Sequence, residues 1–238
     1  MDTRFSNLTH VFLDADDTLW ENDIYFRTAE REFCHYIGRY VDENLAGERL
    51  AHHQEANIPI YGYGSKTYLL GMLDAAAELC PAQFGAEMYL DIKAIIERLA
   101  THPFDFLEGA EQVVKDLSKK YTVVIATKGD LSEQLRKYRQ SGLEGYVKAI
   151  EVMETKACPD YRNLAAKMGI APENFLMVGN AVRSDIAPVI EMGGWAVHIP
   201  YKVTWVHEMM EMPQSDRIIE LKNIEELRGL LLSDEVAK

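Results

Sequence analysis

The stretch His10-Val11-Phe12-Leu13-Asp14-Ala15-Asp16-Asp17-Thr18-Leu19-Trp20 changes character halfway along. An apolar, β-favouring run ends abruptly in three carboxylates and a threonine. Such a run reads as a buried strand delivering its acidic end to a loop. Carboxylates this close repel one another, and a cation among them relieves the repulsion. Oxygen ligands suit a hard divalent ion, and Mg²⁺ commonly binds through one or two carboxylates with substrate phosphate completing its shell. The plainer reading is a solvated acidic turn, and residues further along the chain weigh against it.

The chain has 238 residues, room for one large domain or for a core with a smaller insert. With 47% hydrophobic and 26% charged residues its composition is that of a folded globular protein. The net charge of −13 argues against nucleic acid and against an anionic membrane surface as partners, because like charges repel throughout the approach. A small phosphorylated metabolite is compatible with that field where local cations or a metal offset it. No stretch approaches the roughly 20 apolar residues of a membrane span. The opening residues, Met1-Asp2-Thr3-Arg4-Phe5-Ser6-Asn7, lack a signal-peptide core, so a cytoplasmic location is expected. Cys34, Cys80 and Cys158 are widely spaced and read as reduced thiols packed as small apolar groups.

From Glu21 to about Ala100 the pattern is helical. Tyr68, Leu69, Met72, Leu73, Ala76 and Leu79 form one apolar stripe, and Ile92, Ile95, Ile96 and Leu99 form another. Asn57 to Lys66, with Pro59, Gly62 and Gly64, is expected to be a loop, and Thr101-His102-Pro103-Phe104 a second break. Beyond Phe106 helices and apolar strands alternate. Strands are expected at Thr122–Thr127, Val147–Val152, Phe175–Val178 and Trp195–Ile199, with helices around Glu111–Lys119, Leu131–Ser141, Tyr161–Met168 and Ile186–Met192. Continuous apolar strands alternating with amphipathic helices imply a parallel sheet covered on both faces. The expected architecture is therefore an α/β, Rossmann-like core of residues 1–20 and 104–238, with an all-helical cap inserted at 21–103. The Met-rich segment Tyr201–Ser215, with Trp205, Met209, Met210 and Met212, is expected to line the underside of a loop.

Ligands of an open parallel sheet bind at the carboxyl ends of its strands. There the sequence delivers Asp14 and Asp16, then Thr127, then Lys156 after the third strand, then Gly179-Asn180-Ala181-Val182-Arg183-Ser184-Asp185. Carboxylates for a metal, a hydroxyl donor and an ammonium are the parts that phosphoryl transfer requires.

These residues resemble the haloacid dehalogenase superfamily, in particular its phosphatase branch with a helical cap after the first motif. The D-x-D-x-T motif is matched by Asp14-Ala15-Asp16-Asp17-Thr18, the Thr or Ser motif by Thr127, the lysine by Lys156 and the acidic motif by Gly179-Asn180 through Asp185. The resemblance implies that Asp14 is phosphorylated in line and that Asp16 acts as general acid and base. It also implies that Mg²⁺ is held by Asp14, the Asp16 carbonyl and Asp185, with Asn180 nearby. Thr127 and Lys156 would grip the phosphoryl group. Relatives that cleave carbon–halogen bonds lack a carboxylate at the position of Asp16, so its presence favours phosphate chemistry.

Two positions depart from the family pattern. Asp17 stands where glycine is frequent, and Asn180 where aspartate is frequent, so Asp185 is expected to carry more of the metal binding. Lys128 is a candidate phosphate contact, and Tyr63 and Lys66 of the cap are candidate specificity residues. A phosphomutase resembling β-phosphoglucomutase uses the same motifs. A receiver-like signalling module fits the D-x-D-x-T order and the long insert poorly, and only Asn180 suggests a catalytically inactive scaffold. Substrate identity and oligomeric state are not encoded in any motif.

Overall fold

The computed structural model describes residues 3–202 and 208–232; Trp205 lies outside them. The chain divides into two compact units. The core unit comprises a first segment ending at Glu21, the segment Phe104–Lys128, and a third segment beginning at Gln134. The helical unit comprises Asn22–Pro103 and Gly129–Glu133.

In the core unit the strands are β1 (His10–Leu13), β2 (Thr122–Lys128), β3 (Ala149–Met153), β4 (Phe175–Gly179), β5 (Trp195–His198) and β6 (Ile218–Glu220). They form one parallel sheet in the order β3-β2-β1-β4-β5-β6. Because side chains alternate along a strand, each apolar strand feeds two cores. On one face Val11, Leu13, Val123, Ile125, Leu176, Val178 and Val197 pack with helices α5 (Ala110–Leu117) and α9 (Glu226–Leu232). On the other face Phe12, Val124, Ala126, Phe175, Met177 and Ala196 pack with α7 (Cys158–Met168) and α8 (Ala187–Glu191). This is the α/β, Rossmann-like parallel sheet expected from the alternation. β1 lies centrally, between β2 and β4, so the acidic loop after it is flanked by the ends of both neighbours.

The helical unit holds α1 (Asp23–Ile37), α2 (Glu43–Tyr61), α3 (Ser65–Leu79) and α4 (Ala86–Ala100) around its own apolar core. Ile92, Ile95, Ile96 and Leu99 are all buried there with Phe33, Ile37, Leu50 and Met72. Asp42 starts α2 by accepting from the backbone N–H groups of Asn44 and Leu45. Among the described residues no helix is long and apolar enough to cross a membrane.

Several expectations about elements need correction. Residues 57–61 are helical rather than loop: Pro59 lies in the last turn of α2, where the one hydrogen bond forgone by its missing N–H falls at the helix end, and Gly62 ends the helix at φ 77°. β3 begins at Ala149 rather than Val147; it is the sheet's edge strand and half-buried throughout, so its boundary is weakly marked in composition. β6 and α9 are too short to stand out as patterns. Residues 129–133, assigned to the core from sequence, cluster with the helical unit. There Lys66 donates to Asp130 at 2.7 Å, and the Ser65 hydroxyl and N–H both donate to Glu133. Met212 packs on the second sheet core, but Met209 and Met210 are exposed rather than lining a loop.

Asp17 adopts a left-handed conformation with φ 62°, so this side chain occupies the backbone geometry for which glycine is usual. Asp17→Gly should therefore be at least as stable as the native protein. Asp17→Val, β-branched at a positive φ, should lose about 1–2 kcal/mol. Thermal unfolding checks this, and equal melting temperatures for the Val and Gly variants would contradict it.

Candidate active site

The site is assembled in the core unit from the carboxyl ends of β1, β2 and β4 and from the connection after β3. The backbone carries the sheet ladder one step past β1, with Asp14 N–H donating to the Val178 carbonyl at 2.8 Å. The chain then turns, and Asp14 is left buried at the rim, 6% exposed. Its Oδ2 accepts from the Thr18 hydroxyl at 3.1 Å, a contact made within the same loop. Its Oδ1 accepts from Lys156 Nζ at 2.6 Å.

Lys156 arrives from the far side of the sheet. It is 1% exposed, and its ammonium also bonds Asp185 Oδ1, so one cation bridges two buried carboxylates. Its backbone lies at φ 56°, a conformation a non-glycine residue rarely adopts outside constrained sites. Burial works to lower the Lys156 ammonium, but Asp14 and Asp185 outweigh it and hold it above the usual lysine range. For Asp14 the balance is reversed. Burial pushes the carboxyl up to about 6, opposed by Lys156 and reinforced by Asp185.

Asp185 sits in a single π-helical turn, Val182–Ile186, a wide turn of a kind frequent at functional sites. Its Oδ2 accepts from the Ala181 N–H at 2.9 Å, and it is wholly buried. The carboxylate lies against the backbone of Gly179, where any Cβ would stand 2.3 Å from Asp185 Cγ. Glycine is therefore a steric requirement at the end of β4. Asn180 Oδ1 accepts from the Thr18 hydroxyl at 3.3 Å, and the Asn180 carbonyl meets His198 Nε2 at 3.1 Å.

Thr127 is 1% exposed, with its hydroxyl at 3.4 Å from the Lys128 carbonyl. Lys128 is half-buried rather than solvated. Burial and the neighbouring Lys156 ammonium pull its pKa down to about 8, and its Nζ pairs with Glu208. The exposed Arg183 donates to the Met209 carbonyl at 3.1 Å.

The Asp16 carboxylate is bonded on both oxygens. Oδ1 accepts from the Trp20 indole at 2.7 Å and from Lys137 Nζ at 2.5 Å, and Oδ2 accepts from Gln134 Nε2 at 2.8 Å. Gln134 and Lys137 come from α6 (Leu131–Ser141).

Asp14, Asp16, Thr127, Lys128, Lys156, Asn180 and Asp185 thus all belong to the core unit. Tyr63 and Lys66 belong to the helical unit, where Lys66 pairs with Asp130. Sequence reasoning missed Trp20, Gln134, Lys137, His198 and Glu208. The only sequence signal for Gln134 and Lys137 is their i, i+3 spacing with Ser141 one turn on; these three, rather than Leu131, form the buried side of α6.

The donor set fits Mg²⁺. Asp14 and Asp185 are two buried oxygen donors facing one ammonium, which leaves one negative charge in excess when both are ionised. Among the described residues no three His, Cys, Asp or Glu side chains converge on one point. Two carboxylates with carbonyl oxygens are nonetheless the protein ligands that suit this ion.

A family model described as haloacid dehalogenase-like hydrolase matches residues 8–193. A haloacid dehalogenase-like hydrolase from Xanthomonas campestris is 31% identical, with 97% of this chain and 93% of that chain covered and a TM-score of 0.86. A phosphatase of the same superfamily from Thermococcus onnurineus is 17% identical, covers 94% of this chain and 98% of its own, and has a TM-score of 0.65. A 2-haloacid dehalogenase from Pseudomonas syringae is 17% identical, covers 95% and 99%, and has a TM-score of 0.63. No match was found among curated proteins.

The folded chain holds the Asp14 proton more tightly than an unfolded chain, with the pKa raised from 3.8 to about 6. The stability this contributes is full below about pH 4 and is lost as the pH rises through about 6. Asn is neutral and nearly isosteric, and its carbonyl still accepts from Lys156. Asp14→Asn should therefore melt above the native protein at pH 8 in chelator, by ~2–4 °C per kcal/mol relieved, with the difference shrinking toward pH 4. Calorimetry across this range checks it, and an Asn variant melting below the native protein at pH 8 would contradict it.

Proposed function

Because the chain belongs to the haloacid dehalogenase-like hydrolases, we propose that it hydrolyses a small phosphate monoester through a phosphorylated Asp14. The observation that carries this reading is the second carboxylate, Asp16, two residues from Asp14 and held in place by three side chains. A carbon–halogen bond breaks to give a halide that needs no proton. An ester oxygen leaving phosphorus needs one, and proton transfer of this kind contributes about 10²–10⁴-fold.

In the proposed cycle an Asp14 oxygen forms a bond to phosphorus as the ester P–O bond breaks, and Asp16 gives its proton to the departing oxygen. A water then attacks the phosphorus, its proton passes to Asp16, and the Asp14–phosphorus bond breaks. Phosphate leaves with Asp14 ionised and Asp16 reprotonated, as at the start. Lys156 fixes Asp14 and offsets charge on both nucleophile and phosphoryl group, and Thr127 offers its hydroxyl to a phosphoryl oxygen. Mg²⁺, where bound, would be held by Asp14, Asp185 and the Asp16 carbonyl with Asn180 adjacent, and would supply further charge stabilisation to the phosphoryl oxygens. Lys128, whose ammonium pairs with Glu208, would meet the phosphate through its backbone N–H at the end of β2. Tyr63 and Lys66 of the helical unit complete the proposal as specificity residues.

Phosphate release from a panel of phosphate esters, with and without Mg²⁺, tests the reading. Asp14→Asn should lose activity by on the order of 10³-fold or more, and acid-quenched native protein should retain a phosphoryl label that the variant lacks. Release without added sugar bisphosphate separates hydrolysis from mutase chemistry. Equal activity in the two proteins would eliminate Asp14 as nucleophile.

A further inference from the structure

We infer that Lys137 and Gln134, on the buried side of α6, are positioning residues that aim the Asp16 carboxyl at the leaving group. This rests on the phosphatase reading above and assigns a function to residues outside its motifs. Lys137 is 3% exposed and Gln134 2% exposed, a depth at which a lysine or glutamine is costly unless its polar atoms are matched. Lys137 is matched by Asp16. Gln134 is matched on only one side. Its Nε2 donates to Asp16 Oδ2 and to the Lys128 carbonyl at 2.9 Å, while its own buried Oε1 has no partner among the described residues. Turning the amide over would set Oε1 against two acceptors, so the observed orientation is the one the surroundings allow. The amide is spent on holding Asp16.

The donors are distributed unequally over the carboxylate. Oδ1 receives both Trp20 and Lys137, which fills its two lone pairs, whereas among the described residues Oδ2 receives Gln134 alone. Oδ2 therefore keeps one lone-pair direction for a reacting proton. Asp16 retains 22% of its side-chain exposure, while Lys137 is at 4%, so the open side belongs to the acid and the closed side to its supports. Gln134 also ties Asp16 to the Lys128 backbone, one residue beyond Thr127, and so links the acid's orientation to the end of β2. A leaving-group acid must sit within hydrogen-bond reach of the departing oxygen, and small misplacements are expensive.

The test uses full-length protein with Mg²⁺ and a series of substituted phenyl phosphates whose phenols range from strong to weak acids. Lys137→Met and, separately, Gln134→Leu should lower kcat/KM at least 10-fold more for the poorest leaving group than for nitrophenyl phosphate, which needs little protonation. Lys137→Arg should restore the native leaving-group dependence. In an Asp16→Asn background, Lys137→Met should add less than a twofold change across the series. Independently of activity, the Trp20 indole N–H resonance should move in Lys137→Met, because both groups bond the same oxygen; the chain has three tryptophans, and Trp20→Phe assigns the peak. An equal loss for all leaving groups, or an undiminished effect in the Asp16→Asn background, overturns the inference while leaving Asp14 as nucleophile intact. Full turnover by Asp14→Asn, or no Mg²⁺-dependent turnover of any ester in the series by the native protein, overturns the underlying reading and this inference together.

Discussion

One ammonium between two buried carboxylates organises this protein. Asp14 and Asp185 approach the same Lys156 Nζ from different strand ends, with almost no solvent to screen them. Unpaired charges at that depth would neutralise or drive the segments apart. The surrounding structure accommodates the arrangement at three points. Lys156 accepts a left-handed backbone, Gly179 gives up a side chain so that Asp185 can lie against β4, and a π-helical turn aims Asp185 inward. Each is a local concession to a shared electrostatic contact, and each falls on a residue adjacent to the proposed chemistry.

Around this centre positive and negative groups are paired rather than pooled. The protein as a whole is strongly acidic, at −13, yet the core unit sets Lys137 on Asp16 and Lys128 beside Glu208. The excess negative charge that remains lies on the Asp14–Asp185 pair, where a divalent cation or the charge changes of phosphoryl transfer would act on it. The comparisons include both a phosphatase and a dehalogenase, so fold alone does not choose between the two chemistries. The choice rests on the side chain at position 16 and on what holds it.

The two units divide the hydrophobic work. The sheet's alternation supplies two apolar layers, while α1 to α4 enclose a separate core of their own. α6 departs from this economy, since its buried side carries Gln134, Lys137 and Ser141 while Leu131 faces solvent. A helix that buries polar groups and exposes leucine is shaped by a site as well as by packing.

Local sequence carried the α/β class, the first strand with its acidic end, the helical character of the insert and the order of the reactive residues along the chain. Those features are written in local periodicity and in strand ends, which depend on near neighbours only. Only the folded chain shows that Lys156 bridges Asp14 and Asp185, that Asp17 takes a positive φ, that Pro59 lies inside the last turn of a helix rather than in a loop, and that Gln134 and Lys137 turn inward to Asp16. These are contacts between residues up to 142 positions apart, or responses to them, and no local pattern encodes them. A polar residue on a helix looks solvated in the sequence until a buried partner from another strand gives it a reason to turn inward.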